Sequence, residues 1–365
     1  MRVLANLSNV QVNRTTLIEP VGLLESMVKV ASLDLSDSAR EYATAAPLDV
    51  SGTHANQIHM ARNEKVLSTL LCLAVTDPRP ETREYAVTTL QNLAFPKENR
   101  FWLTQFCNGV VLEAVKKLLT SDEQNDKTRK RAAGVLTNLA CNETVETLGQ
   151  HDGLLDVLAG VSMHDRNKDV QNRAYLALTK IANSITSTMP CHSVLLSSLV
   201  KASHGSNGSK VAGVLRAKAR VVENRYSMAR HPELLETLAY IAMNGSDNLE
   251  SLKDREDAIR AILHLASENS NRKVMAKKVI LDSLVYAARF KIEIPEHQVM
   301  RESAITAIER LATEANNRKV MANHDGLLVV VAMAVERELK LEQLAPEASK
   351  VRLAKPLLMS LLVAM

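Results

Sequence analysis

The chain has 365 residues, 46% of them hydrophobic and 24% charged, with a formal net charge of +4. This balance excludes a disordered chain, and so small a net charge argues against nucleic-acid binding, which needs a concentrated basic patch. Only 3% of the residues are aromatic, so the composition favours helices over sheets. The most apolar run, 357–365, is about ten residues too short to span a bilayer.

The cysteines and the N-terminus indicate a reducing compartment. Cys72, Cys107, Cys141 and Cys191 are widely spaced and form no CxxC motif, which predicts buried thiols rather than a disulfide framework or a metal site. Residues 1–16 lack a basic segment followed by an apolar one, so no signal peptide is predicted. The expected location is the cytoplasm, with the nucleus as a second compartment.

Short segments of the sequence recur along the chain. NRKVMA at 271–276 recurs at 317–322, and HDGLL at 151–155 recurs at 324–328. A recurring period of about 40 to 47 residues is typical of a helical solenoid, in which each repeat buries its apolar face only against its neighbours.

A first pattern, N-R-x-x-[LM]-A-x-x-x-G-[LV]-L, can be followed from end to end. Its anchor positions are Asn13, Asn56, Asn99, Thr144, Ile185, Asn224, Asn271 and Asn317. Asparagine can start a helix by accepting hydrogen bonds from free backbone N–H groups, so we expect a short first helix at each anchor. The residue four positions later should face the core; these residues are Leu17, Met60, Leu103, Leu148, Met189, Met228, Met275 and Met321.

A second pattern, R-E-x-A-x-x-x-L-x-N-L-A, marks a longer third helix in each repeat. Its copies start at Arg40, Arg83, Arg129, Gln171, Gly208, Arg255 and Arg301. Its Ala and Leu positions share one helical face, and the glycine of the first pattern marks a corner before a second helix. The five arginines that begin copies either pair with acidic connectors of neighbouring repeats or form a basic rim.

Both ends of the chain match parts of a repeat. Residues 1–8 match the end of a third helix, and 347–365 match a last third helix broken by Pro356. The chain 1–365 is therefore predicted to be a single solenoid of about eight repeats that starts and ends within partial repeats. We expect it to be a segment of a longer protein.

Third helices that close with Asn-Leu-Ala, as at Asn92-Leu93-Ala94 and Asn138-Leu139-Ala140, resemble those of the armadillo repeat family of β-catenin and importin α. The resemblance covers the whole chain. It implies an all-α, right-handed α-α superhelix of three-helix repeats whose third helices line a concave groove. The two-helix HEAT solenoid is the alternative, and the extra glycine corner disfavours it.

The sequence offers little for catalysis or metal binding. The His-Asp pairs at 151–152 and 324–325 occupy the same place in their repeats, so the repeat explains them. HExxH, GxGxxG, GxxxxGK[ST] and GxSxG motifs do not occur. A protein that is not an enzyme and uses no cofactor or metal is predicted.

The predicted groove is a row of side chains at the ends of the third helices. The row reads Asp49, Asn92, Asn138, Lys180, Ala217, His264 and Arg310, from acidic through amide to basic. Asparagine both donates and accepts, so it can hold an extended peptide backbone. With Arg260 one turn before His264, the candidate peptide-binding residues are Asn92, Asn138, Lys180, Arg260, His264 and Arg310.

The groove departs from that of importin α in one respect. Importin α carries tryptophans one turn before the row, where this chain has Thr88, Gly134, Leu176, Arg260 and Thr306. Basic cargo is therefore disfavoured, since Arg260 and Arg310 would repel it. The basic half resembles β-catenin, whose groove takes acidic extended segments.

The function predicted is a protein–protein interaction scaffold or adaptor that binds extended, acidic or phosphorylated partner segments. The predicted partners are proteins and not nucleic acids, and no membrane span is predicted. Two alternatives stay open: a regulator of an enzyme, of the type that promotes nucleotide exchange on small GTPases or acts as a chaperone, and a nuclear transport carrier.

Overall fold

The computed structural model describes residues 1–19, 22–33, 36–121, 124–184, 193–244, 248–290 and 297–344, with side chains to residue 337. Within these ranges the regular elements are α-helices and short 3₁₀ turns, which confirms the predicted all-α class. Ile185, Met189, Cys191 and the predicted helix at 347–365 lie outside the described residues.

The chain divides into two compact units, Met1–Thr186 and Ser187–Met365. Whether they form the single solenoid predicted from the sequence stays a prediction. The helices of the first unit are α1 (Arg2–Asn9), α2 (Asn13–Thr16), α3 (Leu23–Leu33), α4 (Asp37–Val50), α5 (His54–Arg62), α6 (Glu64–Thr76), α7 (Pro80–Leu93), α8 (Lys97–Gln105), α9 (Val110–Thr120), α10 (Asp126–Leu139), α11 (Val145–Gln150), α12 (Leu154–His164) and α13 (Lys168–Ser184).

The second unit continues the helical pattern. Its helices are α14 (Ser193–Ala202), α15 (Val211–Arg220), α16 (Val222–Arg230), α17 (Leu234–Met243), α18 (Leu249–Ala266), α19 (Arg272–Met275), α20 (Lys278–Ala288), α21 (Gln298–Ala312), α22 (Ala315–Ala322) and α23 (Leu327–Leu344). Short 3₁₀ turns precede α9, α15 and α19.

Each unit is a stack of three-helix repeats. In the first unit the third helices α4, α7, α10 and α13 pack in succession, as do the second helices α3, α6, α9 and α12. In the second unit α15, α18 and α21 form the third-helix series, and α14, α17, α20 and α23 the second-helix series. Three helices per repeat match the armadillo arrangement and not the two-helix HEAT alternative.

The predicted apolar positions form the core of each repeat. The Ala and Leu stripe of the third helices is buried, including Ala86, Leu90, Ala132 and Leu136. The residue four positions after the anchor is also buried in six repeats. These residues are Met60, Leu103, Leu148, Met228, Met275 and Met321. The four described methionines of this position therefore pack in the core and do not line a surface groove.

The corner between the first and second helices requires a left-handed backbone. Gly22, Gly109, Gly153 and Gly326 all have positive φ angles, between 67° and 88°, a conformation that glycine adopts without a steric penalty. One repeat places Glu233 there instead, at φ 60°, which costs about 1–2 kcal/mol for a residue with a Cβ.

The anchor asparagines do not start helices in the way predicted. In α5 and α8 the helix begins two residues before Asn56 and Asn99, and the side-chain amide donates rather than accepts. Asn99 Nδ2 donates to Leu93 O at 2.8 Å and to Gln57 O at 3.0 Å. The prediction was wrong because a residue type that caps helix starts also has two N–H donors for carbonyls at helix ends.

In four repeats the anchor asparagine makes the same two hydrogen bonds. One N–H reaches a carbonyl in the last turn of the preceding third helix, and the other reaches the first helix of the previous repeat. Asn56 bonds Val50 and Arg14, Asn271 bonds Leu265 and Arg225, and Asn317 bonds Leu311 and Arg272, all at 2.8–3.1 Å. Each amide thus satisfies an orphan carbonyl at a helix end and joins two repeats.

Arginines that begin copies of the second pattern link neighbouring repeats, as the first of the two interpretations predicts. Arg40 Nε bonds Asp77 Oδ2 at 3.0 Å, and Arg129 bonds both oxygens of Asp165 at 2.7 and 3.1 Å. Arg83 bonds Gln124 instead, at 2.9 Å. Because Arg83 and Arg129 are buried, the basic rim is not formed by them.

The prediction of buried cysteines was wrong. Cys72 and Cys107 are exposed and Cys141 is partly exposed. The spacing of the cysteines follows the repeat, but a period of 40-odd residues does not decide which face of a helix a residue occupies.

Replacing an anchor asparagine should destabilise its unit. Asn271→Ala leaves the carbonyls of Arg225 and Leu265 without these donors in a fully buried place, and we expect a loss of about 3 kcal/mol in the free energy of unfolding. Asn269→Ala, an exposed residue two positions earlier, should change it by less than about 0.5 kcal/mol. Urea unfolding followed by circular dichroism measures both, and equal midpoints for the two variants would contradict the role of the amide.

Candidate binding surface on the third helices

The six candidate residues all lie on third helices and all are half-buried. Asn92, Asn138 and Lys180 belong to α7, α10 and α13 of the first unit. In the second unit Arg260 and His264 lie one turn apart on α18, and Arg310 lies on α21. The six residues therefore form two sets of three, one in each unit.

The first-unit set is engaged with the preceding third helix. Asn92 Nδ2 donates to Ser51 Oγ at 2.9 Å, Asn138 Nδ2 to Gln91 O at 3.0 Å, and Lys180 Nζ to Thr137 O at 2.6 Å. One amide N–H of each asparagine is consequently used inside the protein, which leaves less of the side chain for a bound peptide backbone than the sequence argument assumed.

The surface that α10 offers to a bound peptide is smaller than predicted. Gly134, one turn before Asn138, is buried, and a Cβ at this position would lie 2.3 Å from Nε2 of Gln91. The Gln91 side chain therefore covers the place that the sequence assigned to the groove. Leu176, the equivalent residue of α13, is exposed.

Lys180 lies in a positive environment. Burial lowers the pKa of its ammonium group, and the charge of Arg100 lowers it further. Arg100 follows the anchor Asn99, and its Nη2 donates to Phe95 O at 2.9 Å. Sequence reasoning had assigned no function to Arg100.

The two predicted arginines of the second unit differ in their surroundings. Arg260 forms an ion pair with Glu256, four residues earlier on α18, at 3.1 Å. Ion pairs four residues apart on a helix contribute about 0.3–0.5 kcal/mol, so a partner could replace this one. Arg310 is half-buried, and its Nε is a buried atom without a hydrogen-bond partner in the described part of the chain.

His264 is surrounded by arginines. Its pKa is lowered to about 4, mainly by burial and in addition by the charges of Arg225, Arg260, Arg216 and Arg220. These residues come from three helices that pack together, α15, α16 and α18. An imidazole in this place is neutral at physiological pH and can donate one hydrogen bond.

Three of these arginines were missed in the sequence. Arg216 and Arg220 end α15, within the run Leu-Arg-Ala-Lys-Ala-Arg, and Arg225 follows the anchor Asn224. This basic run was visible in the sequence and could have identified Arg216 and Arg220 as candidates. Its proximity to His264 was not visible, because the two segments belong to consecutive third helices more than 40 residues apart.

The His-Asp pairs have a structural place in the repeat. His324 Nε2 lies 3.0 Å from Oδ1 of Asp282, on the second helix of the preceding repeat. Among the residues whose side chains are described, no three His, Cys, Asp or Glu residues are grouped so that they could bind a metal ion. The described helices likewise include none with the length and apolar character that crossing a bilayer requires.

The free energy of unfolding should depend on pH through the protonation of His264. With a folded-state pKa of about 4 against 6.5 in the unfolded chain, the unfolded state binds a proton first as the pH falls. The stabilisation is therefore complete above pH 6.5 and is lost between pH 6.5 and 4, by about 1–2 kcal/mol after allowance for the partial exposure of the side chain.

Unfolding free energies measured across this range should show the loss in the wild type and a smaller loss in His264→Gln. The exposed His204 provides the control, and His204→Gln should behave as the wild type does. Identical pH profiles for all three proteins would rule out a depressed pKa at His264.

Comparisons with known proteins show similarity in structure. No protein-family model and no curated protein sequence matches the chain. The crystal structure of an engineered protein aligns with 100% of this chain and 83% of its own, at 20% identity and a TM-score of 0.57. At this identity the similarity is one of fold alone.

Designed armadillo repeat proteins align less closely. One in complex with the peptide (KR)4 is 19% identical, with 78% of this chain and 98% of that one covered and a TM-score of 0.45. Computationally designed armadillo repeat proteins for modular peptide recognition give 19% identity, 79% and 99% coverage, and a TM-score of 0.45. The three-helix repeats of each unit, with their glycine corners and successive third helices, give the chain an armadillo-like repeat fold.

Proposed function

We propose that this protein is a non-enzymatic scaffold that binds an extended acidic segment of a partner protein on the third helices of its second unit. The observation that carries the proposal is the group of arginines around His264, contributed by α15, α16 and α18. We propose the cytoplasm or the nucleus as its location.

The repeat fold supports a binding role. A stack of repeats offers a long surface made of equivalent positions, and solenoids use such surfaces to bind other proteins. In this chain the row residues other than the exposed Ala217 are half-buried near the ends of the third helices, where they are held in place and still reach solvent. A side chain fixed in this way loses little entropy when a partner binds.

The local charge supports an acidic partner. The chain as a whole carries only +4, yet the four largest charge effects on the pKa of His264 come from arginines. A local positive field of this kind attracts acidic segments and repels basic ones. Basic cargo is disfavoured at this surface for the same reason.

The non-enzymatic part of the proposal rests on how polar groups are used. Amide and guanidinium groups of the repeat patterns bond backbone carbonyls or neighbouring carboxylates, as Asn271 and Arg129 do. They hold repeats together, and the sequence contains none of the nucleotide-binding or hydrolase motifs considered above.

Charge reversal on the third helices tests the proposal. The probe is a fluorescein-labelled peptide (Gly-Glu)6, with (Gly-Gln)6 as the uncharged peptide, and fluorescence anisotropy gives the affinity. We expect the double variant Arg260→Glu, Arg310→Glu to bind (Gly-Glu)6 at least about tenfold more weakly than the wild type, because two attractive charges become repulsive.

The matched control reverses two exposed lysines on first helices, Lys273→Glu and Lys319→Glu. It has the same net charge as the test variant and should retain most of the binding at physiological salt, where charges beyond about 8 Å are screened. Equal losses in both double variants would mean that only net charge matters, and equal binding of the two peptides by the wild type would refute the acidic partner.

A further inference from the structure

Two of the arginines near His264 are already paired within the second unit. Arg216 Nη1 lies 2.8 Å from Oδ1 of Asp257, and Arg260 Nη1 lies 3.1 Å from Oε1 of Glu256. The Asp257 side chain is almost fully buried, so its pair with Arg216 holds α15 against α18. These two guanidinium groups contribute charge to the surface, but their direct hydrogen bonds go to carboxylates of the protein.

Arg225 is held in place by the repeat itself. Its Nε donates to Ala219 O at 3.0 Å and its Nη2 to Arg220 O at 3.1 Å, at the end of α15. Arg272 and Arg318 make the first of these bonds in the following repeats, to Ala266 O and Ala312 O. The fold thus fixes the guanidinium of Arg225, and neither of its two bonds uses Nη1.

The packing of the repeat does not require the side chain of Arg220. It is the last residue of α15, and its side chain is exposed. Four residues before the anchor asparagine, the other repeats with this anchor carry only uncharged residues: Asn9, Gly52, Phe95, Ser267 and Thr313. An arginine at this single place adds a positive group that packing does not explain.

The surface beside these arginines is open. Ala217 occupies the row position of α15 and is exposed, whereas the equivalent residues of α7, α10 and α13 are Asn92, Asn138 and Lys180. A methyl group in place of a long side chain leaves room next to Arg220. His264 holds the row position of α18, the third helix that packs against α15, and is neutral at physiological pH.

We propose that Arg220 and Arg225 form the anion-binding pair of the second unit, and that they accept a side-chain carboxylate from an aspartate or glutamate of the bound segment. His264 lies beside the pair and donates a neutral N–H group. This inference rests on the function proposed above and identifies the residues that contact the partner: the sequence had selected Arg260, which is paired, and not Arg220.

Two observations support a carboxylate held by two separate donors. Arg225 has Nε and one N–H of Nη2 engaged, so its side-on fork is closed, and the edge formed by Nη1 and the second N–H of Nη2 can take one oxygen of the carboxylate. Arg220, on the exposed end of the helix, can take the other. A negative charge here would offset the field of the arginines, so the pKa of His264 should rise when the segment binds.

The test compares Arg220→Gln with Lys273→Gln, an exposed lysine on the first helix α19. Both variants remove one exposed positive charge. With labelled (Gly-Glu)6, we expect Arg220→Gln to lose about tenfold in affinity, as the loss of one charge-assisted hydrogen bond requires, and Lys273→Gln to lose less than about twofold.

In the wild type, the NMR titration of His264 should move to higher pH when (Gly-Glu)6 is added and stay in place with (Gly-Gln)6. Equal affinities for Arg220→Gln and Lys273→Gln, or a titration that (Gly-Glu)6 does not move, would overturn the assignment. If a peptide with phosphoserine at each glutamate position bound at least about tenfold more tightly than (Gly-Glu)6 and lost that gain in Arg220→Gln, the ligand would be a phosphate and the carboxylate assignment would be wrong.

Failure of this inference can be told apart from failure of the function. Normal binding by Arg220→Gln, with loss in the Arg260→Glu, Arg310→Glu variant, would leave the scaffold intact and place the contact on α18 and α21. If the wild type did not distinguish (Gly-Glu)6 from (Gly-Gln)6, both the function and the anion pair would be refuted.

Discussion

In four repeats a buried asparagine amide donates both of its N–H groups to carbonyls of different helices, one in the preceding third helix and one in the first helix of the previous repeat. Helix ends expose carbonyls that need donors, and three short helices per repeat create many such ends in a small volume. The amide satisfies one of them and bonds a second carbonyl in the first helix of the previous repeat. In the repeats that have it, this residue therefore fixes one repeat against the next.

The same architecture places guanidinium groups at the surface. After four of the anchors, the next residue is an arginine whose Nε bonds the end of the preceding third helix; these are Arg14, Arg225, Arg272 and Arg318. A residue that serves the stack is thereby brought to the edge of the third-helix face. In the second unit the charges of further arginines act with that of Arg225 on a half-buried histidine, and the acidic-segment binding proposed above is assigned to this group.

Ion pairs decide which of these charges a partner can meet. Arg129 and Asp165 are both buried, as is Asp257 against Arg216, and such pairs hold helices together because breaking one would leave an unpaired buried charge. Arg260 is more exposed, and its pair with Glu256 is worth little. The arginines of the second unit therefore differ in how available they are to a partner. Arg216 is paired within the protein, whereas Arg220 lies at the exposed end of α15.

The sequence by itself determined the repeat, the three helices, the glycine corners and the buried apolar positions, because period and amphipathic pattern specify these locally. It also located the third-helix residues Asn92, Asn138, Lys180, Arg260, His264 and Arg310. Only the tertiary structure decided how they are used. Asn138 and Lys180 bond the previous helix, Arg260 is paired, Gly134 is covered by Gln91, and Arg220 joins His264. A pattern gives the face of a helix, whereas hydrogen-bond partners and neighbouring charges come from residues some 40 positions away, which local periodicity does not encode.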